Sequence, residues 1–291
     1  MIPAPAEAEK NTKNAAVVMN KKGRLMKKRF GLLGLCLLLL FSFVACQQKG
    51  EPTFSQETTE GAFPAYQKAF AQIKQAKSLD MEMITNLTLE MTGSSIPLKM
   101  DMDIQKLQNG EFIELVAKSS TDIANYDMDM DIYYRDGYLY FATEDQKIKS
   151  SVSAADLDAA VGIQIPFFDD ASYFKTITET QKDGETEIDF TLSEDVFSKL
   201  SEEHLGPVLS ALQGMGVEEV KIAVTGYSGR LSLDKEGQPQ TIYLALTADL
   251  TVSNAPMTVS YVWECDIKGI DTLTSLSFPD NLDQYTESEN F

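Results

Sequence analysis

The chain is poor in the residues that most enzymes need. It has 291 residues but one histidine, His204, one tryptophan, Trp263, and three cysteines. A single histidine, set in the charged stretch Glu202-Glu203-His204, removes most general acid–base and metal-binding schemes, and it reads as a solvated surface side chain. No G-x-S-x-G, phosphate loop, zinc-ligand spacing or dinucleotide fingerprint occurs, so the reading is non-catalytic and without a cofactor. Positive charge is also scarce, 25 Lys and Arg against 44 Asp and Glu. Such a surface repels a phosphate backbone, which excludes nucleic acid as a partner, and it repels a flat anionic bilayer. One apolar run exists, Phe30 to Ala45, and it falls short of the about 20 residues that a membrane span requires.

What is present begins at that run. Lys27, Lys28 and Arg29 precede it, and small residues at its end precede Cys46, the order of a bacterial secretory signal over 26–45. Residues 1–25 resemble no part of a signal or a domain and read as an upstream extension from a misplaced start. The segment Phe43-Val44-Ala45-Cys46 resembles a lipobox, with phenylalanine where an aliphatic residue is usual. That resemblance implies cleavage before Cys46, diacylation of its thiol, and a chain anchored by lipid on the extracytoplasmic face of the cell membrane. Eight of the 25 basic and two of the 44 acidic residues precede Cys46, leaving 17 and 42 and a net charge of −25. Cys36 leaves with the signal, so Cys265 stands without a disulfide partner. Residues 46–61, rich in Gln, Glu, Thr and Ser, form a flexible tether, and 62–291 remain as a single domain.

Periodicity predicts one helix over FPAYQKAFAQIKQAKS, with Phe63, Tyr66, Phe70 and Ile73 on one face and Pro64 in the first turn. Then strands dominate. Leu79, Met81, Met83, Leu87, Leu89 and Met91 are odd-numbered; Ile96, Leu98, Met100, Met102 and Ile104 are even-numbered. Such alternation marks strands with one apolar face. Turn signals at Asn109-Gly110, Asp136-Gly137, Asp183-Gly184 and Glu236-Gly237 imply antiparallel hairpins. SAADLDAAVG, capped by Ser153 and Asp156, and SEDVFSKLSEEHLGPVLSALQGMG, opened by Ser193, predict further helices. Four more strands follow, VEEVKIAVTGY, RLSLDKE, TIYLALTADLTVS and MTVSYVWECDIKG, and the end of the chain lacks clear periodicity. LTLEMTGSSIPLKMDMDI and ADLTVSNAPMTVSYVWECDI echo each other, each a hairpin with proline after its turn, which suggests two pseudo-equivalent halves. The expected fold class is α+β, mainly antiparallel β: a curved half-barrel sheet wrapping two or three amphipathic helices.

This arrangement of lipobox, helix, long alternating strands, a Tyr-x-Asp-Gly-Tyr-Leu-Tyr hairpin, helix and strands resembles the LolA/LppX-like bacterial lipoproteins. It resembles most a group of Firmicutes lipoproteins sharing that fold, over residues 63–278. The resemblance implies a cavity for acyl chains between sheet and helices, and no catalytic signature comes with it.

Two constellations remain. Asp127, Asp129 and Asp131 alternate along YDMDMDIYYRDGYLYF. Counted as a calcium loop from Asp127, positions six and twelve hold Ile132 and Tyr138, so that loop is excluded. A two-residue turn at Asp136-Gly137 sets Tyr134 opposite Leu139, Ile132 opposite Phe141, Asp131 by Ala142 and Asp129 by Glu144. These aspartates form a solvent-facing acidic surface, with Asp129 and Glu144 as the one candidate pair for a cation or for acid–base work. On the other phase seven methionines fall in three strands: Met81, Met83, Met91, Met100, Met102, Met128 and Met130. They either fill gaps beneath the helices or form a pliable lining. The ligand-cavity candidates are Met81, Met83, Met100, Met102, Met128, Met130, Ile132 and Trp263, with Tyr138, Tyr140, Phe141, Phe167 and Phe168 as further contributors. Cys265 shares the apolar phase and reads as a small buried hydrophobe. The expectation is a membrane-anchored protein that binds or carries an apolar, lipid-like ligand. The alternative is an envelope interaction or sensing module with a filled core and a protein partner.

Overall fold

The computed structural model describes residues 61–91, 94–110, 112–123, 126–157, 165, 167–197, 220–252 and 255–288. The calls on residues 1–60, Cys46 among them, on His204, and on most of both later helices lie outside these residues.

After helix α1 (Ala62–Gln75) the described residues form twelve strands: β1 (Ser78–Met91), β2 (Ser94–Asn109), β3 (Phe112–Ile123), β4 (Tyr126–Arg135), β5 (Tyr138–Ala142), β6 (Lys147–Ser151), β7 (Phe174–Lys182), β8 (Glu185–Leu192), β9 (Val220–Leu233), β10 (Pro239–Val252), β11 (Ala255–Ile270) and β12 (Thr286–Glu287). They make one open sheet in the order β12-β6-β5-β4-β3-β2-β1-β11-β10-β9-β8-β7. All pairings are antiparallel except β12 on β6. Two meanders, β1 to β6 and β7 to β11, meet along the β1–β11 seam. The two hairpins that echo each other in sequence, β1–β2 and β10–β11, lie side by side at the centre. Their last paired positions are Met91 with Ser94 and Val252 with Ala255.

Turn chemistry accounts for the other registers. Asp136 and Gly137 have φ of 53° and 78°, and Asp183 and Gly184 have φ of 56° and 88°. Two successive left-handed residues give a turn whose twist matches that of the strands it joins. In consequence Tyr134 pairs with Leu139, Ile132 with Phe141 and Asp131 with Ala142.

Alternation then divides the sheet. On the inner face one core cluster runs from Ile132 and Leu139 through Met81, Met102 and Ile104 to Cys265, Ile242, Leu231 and Phe190. Helix α1 packs there, with Tyr66, Phe70 and Ile73 buried. The Tyr66 ring lies edge-on to Phe174 and Phe190, with centroids 5.3 and 5.4 Å away. Its hydroxyl accepts from the Phe168 amide at 3.2 Å. Pro64 sits where its missing N–H is not needed for the helix ladder.

The expected half-barrel around two or three amphipathic helices is not what forms. The sheet is open, and α1 is the one long helix among the described residues, touching β7 and β10. Lying across β7 to β10, which stand three spacings of about 4.8 Å apart, this one helix leaves most of a twelve-strand sheet uncovered. Among the described residues, Ile165, Phe167, Phe168 and the short 3-10 turn Ala171–Tyr173 also pack onto this core, outside any α-helix. Ser153 does cap the next segment, its Oγ accepting from the Asp156 amide at 3.3 Å and donating to the Asp156 carboxylate at 2.6 Å.

VEEVKIAVTGY and RLSLDKE, expected as two strands, contribute to one, β9, over their described part Val220–Leu233. Thr225 bulges where Gly226 pairs with Thr247 and Val224 with Ala248. Gly229 is not a break but a seat. A methyl group there would come 2.3 Å from the Phe190 ring and 2.8 Å from Leu244. Gly229→Ala is therefore expected to lower stability by about 1–3 kcal/mol, through overpacking, as measured by urea unfolding.

Candidate functional site

The inner face of β1 to β4 and β11 brings the predicted methionines together in rows. One row reads Met130, Ser119, Met102, Met83, Cys265 across the strands; the next reads Met128, Thr121, Met100, Thr85, Trp263. Met81, Met83, Met102, Ile132 and Trp263 are buried, while Met100, Met128 and Met130 are half-buried. All eight cavity candidates thus share one face. Met91 pairs with Met257 at the tip of the hairpins.

Phe141, Phe167 and Phe168 belong to the inner core, but Tyr138 and Tyr140 do not. Those two point from β5 to the outer face, in the phase opposite to Phe141, and join Tyr133 and Tyr285 in a second cluster. The covering piece is the C-terminal segment from Asp271, which the sequence left without a role. Asp271 turns the chain, with φ of 57°, and its carboxylate accepts from the Lys77 and Ser78 amides at 2.6 and 3.1 Å. The segment then lays Phe278 and Leu282 on the cluster and buries Tyr285 edge-on to Tyr140, 5.4 Å between centroids.

The acidic stripe keeps to the outer face, interleaved with cations. Asp131 pairs with Lys118, and Lys118 with Asp103. Lys268 reaches Glu82 at 2.8 Å and Asp103 at 3.4 Å. Asp129 lies opposite Ser120. The β4–β5 pairing ends at Asp131 and Ala142, so Asp129 has no partner on β5 and Glu144 lies in the turn beyond. The expected Asp129–Glu144 approach is therefore not made. No three His, Cys, Asp or Glu side chains converge on an ion position among the described residues.

Sequence reasoning missed the hydroxyls set into the apolar rows. Thr85, Ser119 and Thr121 are buried there, and Thr85 shares a hydrogen bond with the Tyr261 hydroxyl. Thr85 falls in the phase of Met83 and Leu87, which was the signal available. Burial, reinforced by the neighbouring Tyr227, holds the Tyr261 phenol well above its ordinary value of 10.0. Burial does the same for Tyr66 and Tyr227. It also pushes the Cys265 thiol from 9.0 to about 12, and Tyr133 on the outer face from 10.0 to about 12, the latter helped by Asp131. Cys265 is thus a neutral core side chain and no nucleophile at neutral pH.

No protein-family model matches the chain, and no curated protein matches it. Solved structures similar to it include LprF from Mycobacterium bovis, at TM-score 0.36 and 10% identity, covering 77% of this chain and 99% of that one. A DUF1329 family protein from Desulfovibrio piger gives TM-score 0.25 and 10% identity, over 75% and 96%. The ywiB protein from Bacillus subtilis gives 0.24 and 8%, over 66% and 94%. At such scores these likenesses carry no argument about the site, which rests on its own geometry.

The raised thiol and phenols give a signed prediction. Below pH 9 both folded and unfolded chains keep these protons, so they add no pH slope. Above it the unfolded chain releases protons that the folded one retains, first from Cys265 and from about pH 10 from the tyrosines. Stability should fall steadily from pH 9 to 12, read as a declining urea midpoint.

Proposed function

We propose that this chain is an extracytoplasmic lipoprotein, anchored through Cys46, that binds an apolar, lipid-like ligand against the methionine-bearing inner face. The observation that carries the reading is where burial stops. Met81, Met102, Ile104 and Cys265 are closed over. Toward the tips of β1, β2, β10 and β11 the same apolar face continues through Leu89, Ile96, Leu98, Leu246, Val259 and Tyr261, with Met100, Met128 and Met130 beside them, all half-buried. A face that stays apolar after the core is complete has surface left to offer a ligand, at about 0.8 kcal/mol per methylene buried. Methionine suits that duty, since its unbranched, polarisable chain adapts to varied apolar shapes. Thr85 and Tyr261 add a polar point against which a carboxyl or hydroxyl headgroup can be oriented. The likeness to the Firmicutes lipoproteins, read from sequence pattern, agrees with this assignment.

Two measurements test it. Cys46→Ser should move the chain from the membrane to the soluble extracytoplasmic fraction. The chain from Gln47 onward should bind a fluorescent fatty-acid probe, and Met100→Lys should weaken binding about tenfold, since a charge set among methylenes costs well over 1.4 kcal/mol. Absence of both probe binding and any copurifying lipid on organic extraction would sink the ligand reading in favour of an interaction module with a filled core.

A further inference from the structure

The outer face carries a second site, independent of the apolar ligand. Where the C-terminal segment crosses the end of the sheet, it leaves a cleft of about 550 Å³ beside the start of β3 and the β4–β5 turn. Its apolar walls are Phe112, Ile113, Phe278 and Leu282. Phe112 is 74% exposed, the most exposed large hydrophobic side chain among the described residues. Around these walls stand four carboxylates, Glu114, Asp136, Asp280 and Asp283, against a single cation, Arg135.

Arg135 is already engaged. Its Nε donates to the Glu114 carboxylate at 3.1 Å, and its guanidinium lies 4.7 Å over the Phe278 ring. It therefore displays, within the chain, the chemistry this cleft accepts: a cation held between a carboxylate and an aromatic face. The remaining carboxylates give the lining a net charge of −3, and Phe112 offers an apolar contact that a bare inorganic cation would leave in water. Anionic headgroups and nucleic acid are repelled by the same lining. We propose that this cleft is a docking site for a basic peptide segment of a protein partner, in which lysine or arginine alternates with an apolar side chain. The apolar residue would cover Phe112, and the flanking cations would face Asp136, Asp280 and Asp283.

The test uses the full chain in zwitterionic nanodiscs and a fluorescein-labelled peptide of alternating lysine and leucine, read by anisotropy. Phe112→Ser should weaken its binding about fivefold or more, as loss of an anchor does. The double variant Asp280→Asn/Asp283→Asn should weaken it similarly, and added NaCl should weaken it for the wild type. Glu187→Gln/Asp189→Asn removes the same charge from β8, across the sheet, and should leave affinity unchanged. All three substituted positions in the first two variants are exposed, so folding is not at stake. Unchanged affinity for Phe112→Ser, with the two charge-removing variants weakened equally, would show that the peptide reads only the overall negative charge and would overturn the site. So would equal binding of a peptide of alternating glutamate and leucine. Neither result bears on the fatty-acid probe, so the two proposals fail separately.

Discussion

Everything in this molecule hangs on the seam between β1 and β11. Apart from the 27 residues between β8 and β9, the strands within each meander are joined by short local connections, but the seam joins strands that lie nearly the whole domain apart in sequence. Thirteen Cα pairs, Leu79 with Ile270 through Met91 with Met257, hold it, with one bulge at Lys268. Such a long closure costs chain entropy, and that cost must be met by contacts made on arrival. They are made on both faces. Inside, Met83 meets Cys265 and Thr85 meets Trp263; outside, Lys268 bridges Glu82 and Asp103. At one end Asp271 ties the exit of β11 to the entry of β1 through two amides.

The seam also imposes the division of labour between faces. Because side chains alternate, one register places every inner residue of both meanders on the same side, and a one-residue slip would turn the methionines outward and the carboxylates inward. Carboxylates on the outer face are tolerated because cations sit between them, Lys118 between Asp131 and Asp103, and Arg230 beside Asp189 at 2.7 Å. These exposed pairs contribute little stability individually. Their value is specificity, since the inner rows offer a charge no such partner.

Much of this was legible in the sequence, and the gaps have physical causes. Period-two runs revealed β1, β2, β10 and β11, and Asp-Gly pairs set the hairpins, because alternation and left-handed turns are local properties. The helix of Tyr66 and Phe70 was equally local. The second layer was not, since Phe167 and Phe168 pack as extended chain and carry no period that distinguishes them from a loop. Ser228-Gly229 reads as a gap between two strands because the reason for Gly229, the Phe190 ring above it, lies on another strand. Tyr140 was grouped with Phe141 as neighbours in sequence, although adjacent strand residues face opposite ways. The cleft is the most hidden feature, because the aperiodic segment carrying Phe278 and Leu282 gains meaning only against Phe112 and Arg135.

The C-terminal segment explains why the outer face is not uniform. Over β1 and β2 that face is charged and wet. Over β4 and β5 it is aromatic, and Tyr133 and Tyr140 would stand in water without Phe278, Leu282 and Tyr285 above them. The cover is incomplete: it ends in a cleft with Phe112 exposed on one side and Asp280 on the other. The inner face has the same character, closed around Met81 and Ile104 and half-open at Met100 and Met128. On both faces, then, burial stops before the apolar surface does. The inner remainder is framed by thioethers and two hydroxyls, the chemistry on which the proposed apolar ligand rests, whereas the outer one is framed by carboxylates, on which the proposed basic peptide rests. One alternating sheet thereby carries two half-covered surfaces of different chemistry, one on each face.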